Sequence, residues 1–384
     1  MREESPVHLQ PGLDGETPIW FVTRYEDVVT LLTDNERFVL DPKLALTPTE
    51  FEAHVAEIAP DERVNENLLA KDGEDHRRLR RLVTKAFTPR IVEQVRPRIQ
   101  QIADDLIDLV EARGSMELVD DFAFPLPITV IAELLGIPVE DRERFRVWSS
   151  NVVMPALTPE DREIARRRGD EFIAYLDDLF AQRRAEPTDD LVSALVQAED
   201  GGDTLSENEL YSMVVLLIVA GHETTVSLIA NAVHTLLTHP EQLAALRADP
   251  SLMASAVEEL VRFDSPVERT ITRWVAADSE LGGQTLRRGD LVIAIIGSAN
   301  RDAEQFRGAG ELDLARGDNK HVGFGRGPHY CLGAPLARLE TEIALESLLR
   351  RLPNLRLAIA TDDLYWRPIP IFRSLASLPL AWDV

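Results

Sequence analysis

One cysteine in 384 residues, Cys331, rules out an intrachain disulfide and a cysteine-rich zinc site. Positive charge is scarce as well. Lys and Arg number 41 against 66 Asp and Glu, and the net charge of −25 argues against sequence-independent binding to a phosphate backbone or an anionic membrane. Long hydrophobic runs are missing: the most continuous, Met213 to Gly221, spans nine residues, about half of what crossing a membrane requires. The N-terminus, Met-Arg-Glu-Glu-Ser-Pro, carries no signal-length apolar stretch, so no cleaved signal and a cytoplasmic location are expected. Internal repeats, low-complexity tracts and a concentrated Pro/Gly linker are also lacking. What remains is a composition, 45% hydrophobic and 28% charged, that can bury a large core in one integrated fold.

Local patterns give the order of elements. Trp20-Phe21-Val22-Thr23 is the first strong strand signal, and a short helix over Val28 to Leu32 follows with Asp27 as its cap. Residues 41–75, with Pro42, Pro48 and Pro60, read as a long irregular loop. Thr88-Pro89 starts a helix whose apolar residues Val92, Val95, Ile99, Ile102, Leu106 and Leu109 step by three and four until Gly114. Further helical patterns cover 128–136, 139–150 and 160–184.

Ser206 and Glu209 form a capping box ahead of an apolar helix that runs to Thr238, about 48 Å at 1.5 Å per residue. A helix of that length crosses the molecule and is buried. Gly221-His222-Glu223-Thr224-Thr225 interrupts it as a polar kink, which is costly in a buried helix unless something uses it. After a helix holding Glu258 to Arg262 the period changes: Thr270 to Val275, Thr285-Leu286 and Leu291 to Ile296 read as a small β-region. The fold class is mainly α with a minor β-region. Its parts are a β-containing N-terminal part (about 15–40), an α-rich body (about 76–265), a β-region (about 270–297) and a cysteine loop with its following helix (about 321–352).

Phe324-Gly325-Arg326-Gly327-Pro328-His329-Tyr330-Cys331-Leu332-Gly333 is the most informative segment. Glycines and a proline ahead of a helix free backbone N–H groups to point inward, and the helix beginning near Ala334-Pro335 sets its positive end beside the sulfur. Both favour a thiolate. A thiolate in such a loop, with no second cysteine and no adjacent base, suits an axial ligand to haem iron. A dinucleotide fingerprint fails, because the glycine after Gly325-x-Gly327 comes only at Gly333. A cysteine nucleophile would need a better-placed base than His329 two residues away, and an inert buried cysteine is the remaining plain reading.

Phe-Gly-x-Gly-x-x-x-Cys-x-Gly resembles the haem-binding signature of the cytochrome P-450 family, in the form of its soluble bacterial members. The similarity extends from about Trp20 to Trp382. The resemblance implies the family's triangular α-rich haem domain with a long central helix, residues 1–384 as one such domain, haem b as cofactor and Cys331 as the iron's axial ligand, with Phe324 and Gly325 against the haem. Buried propionates need neutralising, and arginine forks suit them. His76 and Arg80, one turn apart in His-Arg-Arg-Leu-Arg, match the pair the family sets on a propionate; Arg273 is similar to its second propionate arginine and His329 to its third donor.

Ala220 to Thr225 has the form of the family's oxygen-activation segment, which implies that Glu223 relays protons from solvent and Thr224 holds the hydrogen-bond network. The plain alternative is that Thr224 bonds a carbonyl one turn back. A metalloprotease reading of His222-Glu223 fails, since Val226 stands where the second histidine belongs. Glu259-x-x-Arg262 is similar to the family's Glu-x-x-Arg pair, with Arg316 as third member of a charged cluster that fixes the cysteine loop. The family usually has Pro-Asp and an aromatic after Ala-Asn-Arg-Asp, whereas Ala299-Asn300-Arg301-Asp302 leads here through Phe306 to Gly308 and Asp313.

The function so implied is a monooxygenase that inserts one atom of O2 into a hydrophobic small molecule, by hydroxylation or epoxidation, in secondary metabolism. Electrons are expected from NAD(P)H through a ferredoxin reductase and a ferredoxin that docks near Arg77, Arg78, Arg81, Arg326 and Arg338. Substrate contacts are expected from 41–75, 150–175, Val215 to Ala220, Val267 to Ile271 and Ile371-Phe372, with Glu268 and Arg269 as polar handles, in a monomer that binds neither nucleic acid nor membrane. Two alternatives stand beside this reading: a peroxide-driven peroxygenase and a non-enzymatic haem-binding sensor or carrier.

Overall fold

The computed structural model describes residues 2–12, 14–58, 66–86, 89–141, 144–145, 147–148, 158–200 and 202–384. Two strands open the chain, β1 (Val7–Pro11) and β2 (Pro18–Val22), and are followed by α1 (Tyr25–Thr33), β3 (Phe38–Val39), α2 (Pro48–Ile58), α3 (Gly73–Ala86), α4 (Pro89–Gln94), α5 (Arg96–Asp108) and β4 (Ser115–Glu117). Next come α6 (Pro125–Leu135), α7 (Pro159–Ala185), α8 (Leu191–Val196), the hairpin β5 (Glu199–Asp200) and β6 (Asp203–Thr204), α9 (Glu207–Thr238), α10 (Pro240–Ala248) and α11 (Met253–Phe263). The chain ends through β7 (Arg273–Val275), β8 (Ser279–Leu281), β9 (Gln284–Leu286), β10 (Leu291–Ala294), α12 (Ile296–Ala299), α13 (Ala334–Arg351), β11 (Arg356–Leu357) and β12 (Pro379–Ala381). The expected mainly α fold with minor β holds.

α9 organises the helical body. Ser206 Oγ accepts from the Glu209 N–H at 3.2 Å while the Glu209 carboxylate accepts from the Ser206 N–H at 2.8 Å, so the capping box read from sequence is formed. The helix then packs against α6, α13 and α11 at the centre of the larger hydrophobic cluster. A smaller cluster lies between α1 and a five-stranded sheet of order β1-β2-β10-β7-β3, in which only the β2–β10 pairing is parallel. β7 and β3 thereby bring Arg273 beside Phe38.

Several local expectations are corrected. Gly221 to Thr225 do not interrupt α9, which is continuous over its 32 residues. The hydroxyls of Thr224 and Ser227 donate to carbonyls one turn back, Ala220 and Glu223, both at 2.9 Å, and so fit inside the helix. Gly221 serves packing: a Cβ there would come within 3.1 Å of Ile131 on α6. Asp27 is not a cap but sits inside α1, where it accepts from Arg24 Nε at 2.8 Å. The supposed loop 41–75 contains α2, started by Thr47 and Glu50, whose side chains and backbone N–H groups exchange hydrogen bonds around Pro48. The helix read as continuous from Pro89 breaks at Val95, because Pro97 lacks an N–H and opens a new helix instead. Pro60 and Thr88 lie outside the described residues, as do 142–143, 146 and 149–150 of the expected helix 139–150, of which Val139–Asp141 form a short 3-10 turn.

One buried charge cluster ties α11 to the segment leading to Cys331. Glu259 and Arg262, both fully buried, form a two-pronged pair at 2.7 and 2.8 Å. Glu259 also accepts from Arg316 Nε at 2.9 Å, Asn319 Nδ2 at 3.1 Å and the Asp313 N–H at 2.9 Å, while Arg262 donates to the carbonyls of Asn300, Ala309 and Glu311. Every prong has a partner, the condition under which a buried pair is tolerated. Arg262→Ala should therefore lower stability by about 3–5 kcal/mol in denaturant unfolding; a loss below about 1 kcal/mol, the scale of an exposed pair, would contradict the cluster's role.

Candidate active site

The Cys331 loop is shaped by glycines at two kinds of position. Gly325 and Gly327 adopt φ of 72° and 70°, in the left-handed region, and a Cβ on Gly327 would lie 2.8 Å from the Leu32 carbonyl. A Cβ on Gly323 would press to 2.5 Å from Val261 on α11, so this end of the loop lies directly on that helix. The Cys331 N–H donates to the Phe324 carbonyl at 2.9 Å and closes the loop. Outside it, Asn300 Oδ1 accepts from the Val322 N–H at 2.8 Å, and Arg338 lies 4.3 Å over the Phe324 ring while bonding Glu258 at 2.5 and 3.0 Å. Burial works to raise the Glu258 carboxyl, but His321 and Arg338 outweigh it and draw it down to about 2.

Two opposing influences meet at the sulfur. Burial pushes the Cys331 thiol up from its ordinary range and outweighs the Gly333 and Ala334 N–H groups and the Arg80 and Arg338 guanidiniums, which all pull it down. One side of the residue nevertheless keeps open surface. Loop donors alone do not make a thiolate here; a coordinating metal cation does so outright.

Around this open side the structure gathers further polar groups. His76 on α3 is 3% exposed, and its ring lies 4.1 Å from that of His329, centroid to centroid. His76 Nε2 is buried with no hydrogen-bond partner among the described residues. Burial first, then the charges of His329 and Arg80, lower its pKa to about 4, so the ring is neutral near pH 7 and can only offer an N–H or a lone pair. Arg80, half-buried one turn further along α3, lies within electrostatic reach of the sulfur. Arg273 is 3% exposed and donates to the Phe38 carbonyl at 2.9 Å and Asn35 Oδ1 at 3.2 Å; burial draws its pKa down to about 10.

Asp72 is a partner that sequence reading missed. Oδ2 accepts from the Leu40 and Asp41 N–H groups at 2.5 and 2.8 Å, and Oδ1 lies 3.4 Å from His329 Nε2. Burial works to raise its carboxyl, yet His329 and those N–H groups hold it below the usual range. Its position just before α3 was the available signal, but a cap reading would have aimed it at its own helix.

On α9, Glu223 is 4% exposed and Thr224 only partly buried. Arg367 Nη1 reaches Glu223 Oε2 at 3.2 Å, and His222 Nε2 lies 3.7 Å from Oε1. Of the five arginines expected to dock an electron donor, Arg78 pairs with Glu209, Arg338 with Glu258 and Arg77 with Glu74, Arg326 donates to the Tyr25 hydroxyl at 3.1 Å, and Arg77 and Arg81 are exposed at the surface.

A lone sulfur open on one side, two arginines, a neutral imidazole with an unpartnered buried nitrogen and an anion-backed second imidazole fit a metal macrocycle carrying acidic groups. The sequence matches the cytochrome P450 family over residues 14–354. The polyketide biosynthesis cytochrome P450 PksS of Bacillus subtilis (strain 168) is 43% identical over 99% of this chain and 93% of that protein. The mycinamicin IV hydroxylase/epoxidase of Micromonospora griseorubida is 45% identical over 100% of this chain and 94% of that one. A crystal structure of the myxobacterial cytochrome P450 CYP267B1 in complex with myristic acid superposes with a TM-score of 0.94, at 45% identity, over 100% of this chain and 95% of that one. The chain belongs to the cytochrome P450 family. It is an oxidoreductase of the monooxygenase class, and haem b is its cofactor.

The lowered pKa of His76 carries a sign that can be tested on the haem-free chain. Its unfolded ring takes up a proton as the pH falls below about 6.5 and the folded ring does not until about 4, so folding stability drops across that window. His76→Gln should remove this part of the acid sensitivity in pH-dependent denaturant titrations, and identical pH dependence in both proteins would contradict it.

Proposed function

We propose that this monooxygenase hydroxylates or epoxidises an apolar natural product of polyketide type, fed by NAD(P)H through a ferredoxin reductase and a ferredoxin. The observation that carries the site assignment is the unpartnered His76 Nε2 beside Arg80, His329 and the open side of Cys331. In this reading Cys331, through its sulfur, and Phe324 and Gly325 would hold the haem. Haem, once bound, supplies the activation of O2 for insertion of one oxygen atom into a C–H or C=C bond.

The chain's residues do the rest. His76 would donate its N–H to an acidic group of the haem, Arg80 and Arg273 would supply guanidinium charge, and Asp72, 3.4 Å from His329 Nε2, holds the ring of His329. Asp72 is thus a positioning residue. Glu223 holds or passes a proton at its carboxylate, and the Thr224 hydroxyl, which donates to the Ala220 carbonyl, keeps its lone pairs to accept. Glu259, Arg262 and Arg316 act at a distance, by holding the segment that ends in the loop. The donor would dock where Arg77 and Arg81 are exposed.

Support for the substrate class comes from the two named relatives, one assigned to polyketide biosynthesis and one to mycinamicin, and from the apolar character of Val215, Ile218, Val267, Ile371 and Phe372. The test is turnover of an apolar polyketide or macrolide found by spin-state titration: product forms with NAD(P)H, reductase and ferredoxin and not with peroxide alone. Turnover with peroxide and none with ferredoxin would overturn the electron route. Thr224→Ala should raise NAD(P)H consumed per product several-fold, and unchanged coupling would refute its role.

A further inference from the structure

Two neighbouring acids on α11 serve different parts of the molecule. Successive residues of a helix point about 100° apart, and here Glu259 turns into the buried cluster with Arg262 and Arg316 while Glu258 turns toward the loop that holds Cys331. Glu258 meets His321, which stands three residues before Phe324, and Arg338 on the second turn of α13.

Both of those partners touch the Phe324 ring. Arg338 stands 4.3 Å over its face, and the His321 ring lies 5.8 Å from it, centroid to centroid, tilted by 50°. Glu258 closes the cage by accepting from Arg338 Nε at 2.5 Å, Arg338 Nη2 at 3.0 Å and His321 Nε2 at 3.1 Å. The Gly323 N–H donates to His321 Nδ1 at 3.1 Å, so in the neutral ring Nδ1 is the acceptor and the proton sits on Nε2, toward Glu258. Every polar atom of the imidazole is thereby used.

The cage reaches the cysteine by two routes. The Phe324 carbonyl accepts from the Cys331 N–H at 2.9 Å, and Arg338 Nη1 donates to the hydroxyl of Tyr330, the residue before Cys331, at 3.2 Å. One guanidinium therefore ties down both ends of the loop. Burial works to lower the Arg338 guanidinium, but Glu258 and Tyr330 outweigh it and hold it above its ordinary value. An electron donor's carboxylate would have to displace Glu258 from a two-pronged bond to reach this cation.

We propose that Glu258, His321 and Arg338 are positioning residues that keep the Cys331 sulfur on the haem iron, by fixing the Phe324 ring and, through its carbonyl, the Cys331 backbone. Arg338 serves this task instead of docking the electron donor. The proposal rests on the reading in which Cys331 and Phe324 hold the haem.

The experiment compares haem-loaded wild type, Arg338→Gln, Arg338→Lys, Glu258→Gln, the double variant and Phe324→Leu. Three quantities are read: the rate at which the reduced, carbon monoxide-bound protein loses its thiolate-type band, the reduction potential, and the affinity for a bacterial two-iron, two-sulfur ferredoxin. Arg338→Gln and Glu258→Gln should each speed loss of the band about tenfold, the scale of one charge-assisted hydrogen bond. The double variant should be little faster than either single one, because the pair acts as a unit. Arg338→Lys keeps the charge but loses the fork and the flat face, so it should lose the band nearly as fast as Arg338→Gln and shift the potential with it. Ferredoxin affinity should change little in either.

A lysine variant that behaves as wild type makes Arg338 a point charge and overturns the cage. Ferredoxin binding weakened several-fold in Arg338→Gln, with band and potential unchanged, assigns the residue to docking and overturns it as well. If Phe324→Leu speeds loss of the band and Arg338→Gln does not, the cage is wrong and the haem-site reading survives. If Phe324→Leu changes neither band nor potential, the placing of Phe324 at the haem fails and takes the cage with it. Should Arg338→Gln not load haem, Arg338→Lys and Glu258→Gln still decide.

Discussion

A sulfur whose charged form the protein alone does not favour is the constraint on which the rest of this structure depends. Burial raises the Cys331 thiol, and the Gly333 and Ala334 N–H groups with Arg80 and Arg338 only partly offset it. On the proposed reading, in which Cys331 ligates the haem iron, metal coordination removes the proton that burial retains. The loop must therefore keep its shape before the cofactor enters. Its anchors are a fully buried Glu259–Arg262 pair with all prongs bonded, Asn300 on the Val322 N–H, and Arg338 held between Glu258 and the Phe324 ring.

Charge is arranged differently on the two sides of the site. Near Cys331, burial and the neighbouring His329 and Arg80 leave His76 neutral, while His329 and the Leu40 and Asp41 N–H groups keep Asp72 anionic, so the positive charge available to an acidic ligand comes mainly from Arg80 and Arg273. Along α9 a carboxylate is kept anionic inside a buried helix, by His222 beside it and by an arginine that arrives from the C-terminal segment. An overall charge of −25 says nothing of this, because the groups that matter are buried pairs.

Much of the fold was legible because its signals are local. Ser206 and Glu209 are three residues apart, so the start of α9 could be read directly, and the change of period after α11 marks the β-region. Prolines hid α2: Pro42, Pro48 and Pro60 suggested a loop, whereas Thr47 and Glu50 build a cap around Pro48. The kink expected at Gly221 to Thr225 is missing because side-chain hydroxyls can bond carbonyls one turn back without breaking the ladder. Candidate residues inside short motifs, such as Glu259 with Arg262, could be picked out by spacing, while Asp72, Glu258 and Arg367 could not. Arg367 meets Glu223 across 144 positions, and no spacing rule on one chain connects them.

The most direct test of the central claim, that Cys331 becomes a metal-bound thiolate in this loop, is the absorption spectrum of the reduced, haem-loaded protein under carbon monoxide. The account predicts a band typical of thiolate ligation in the wild type that vanishes in Cys331→Ala. A histidine-type band in the wild type would contradict it.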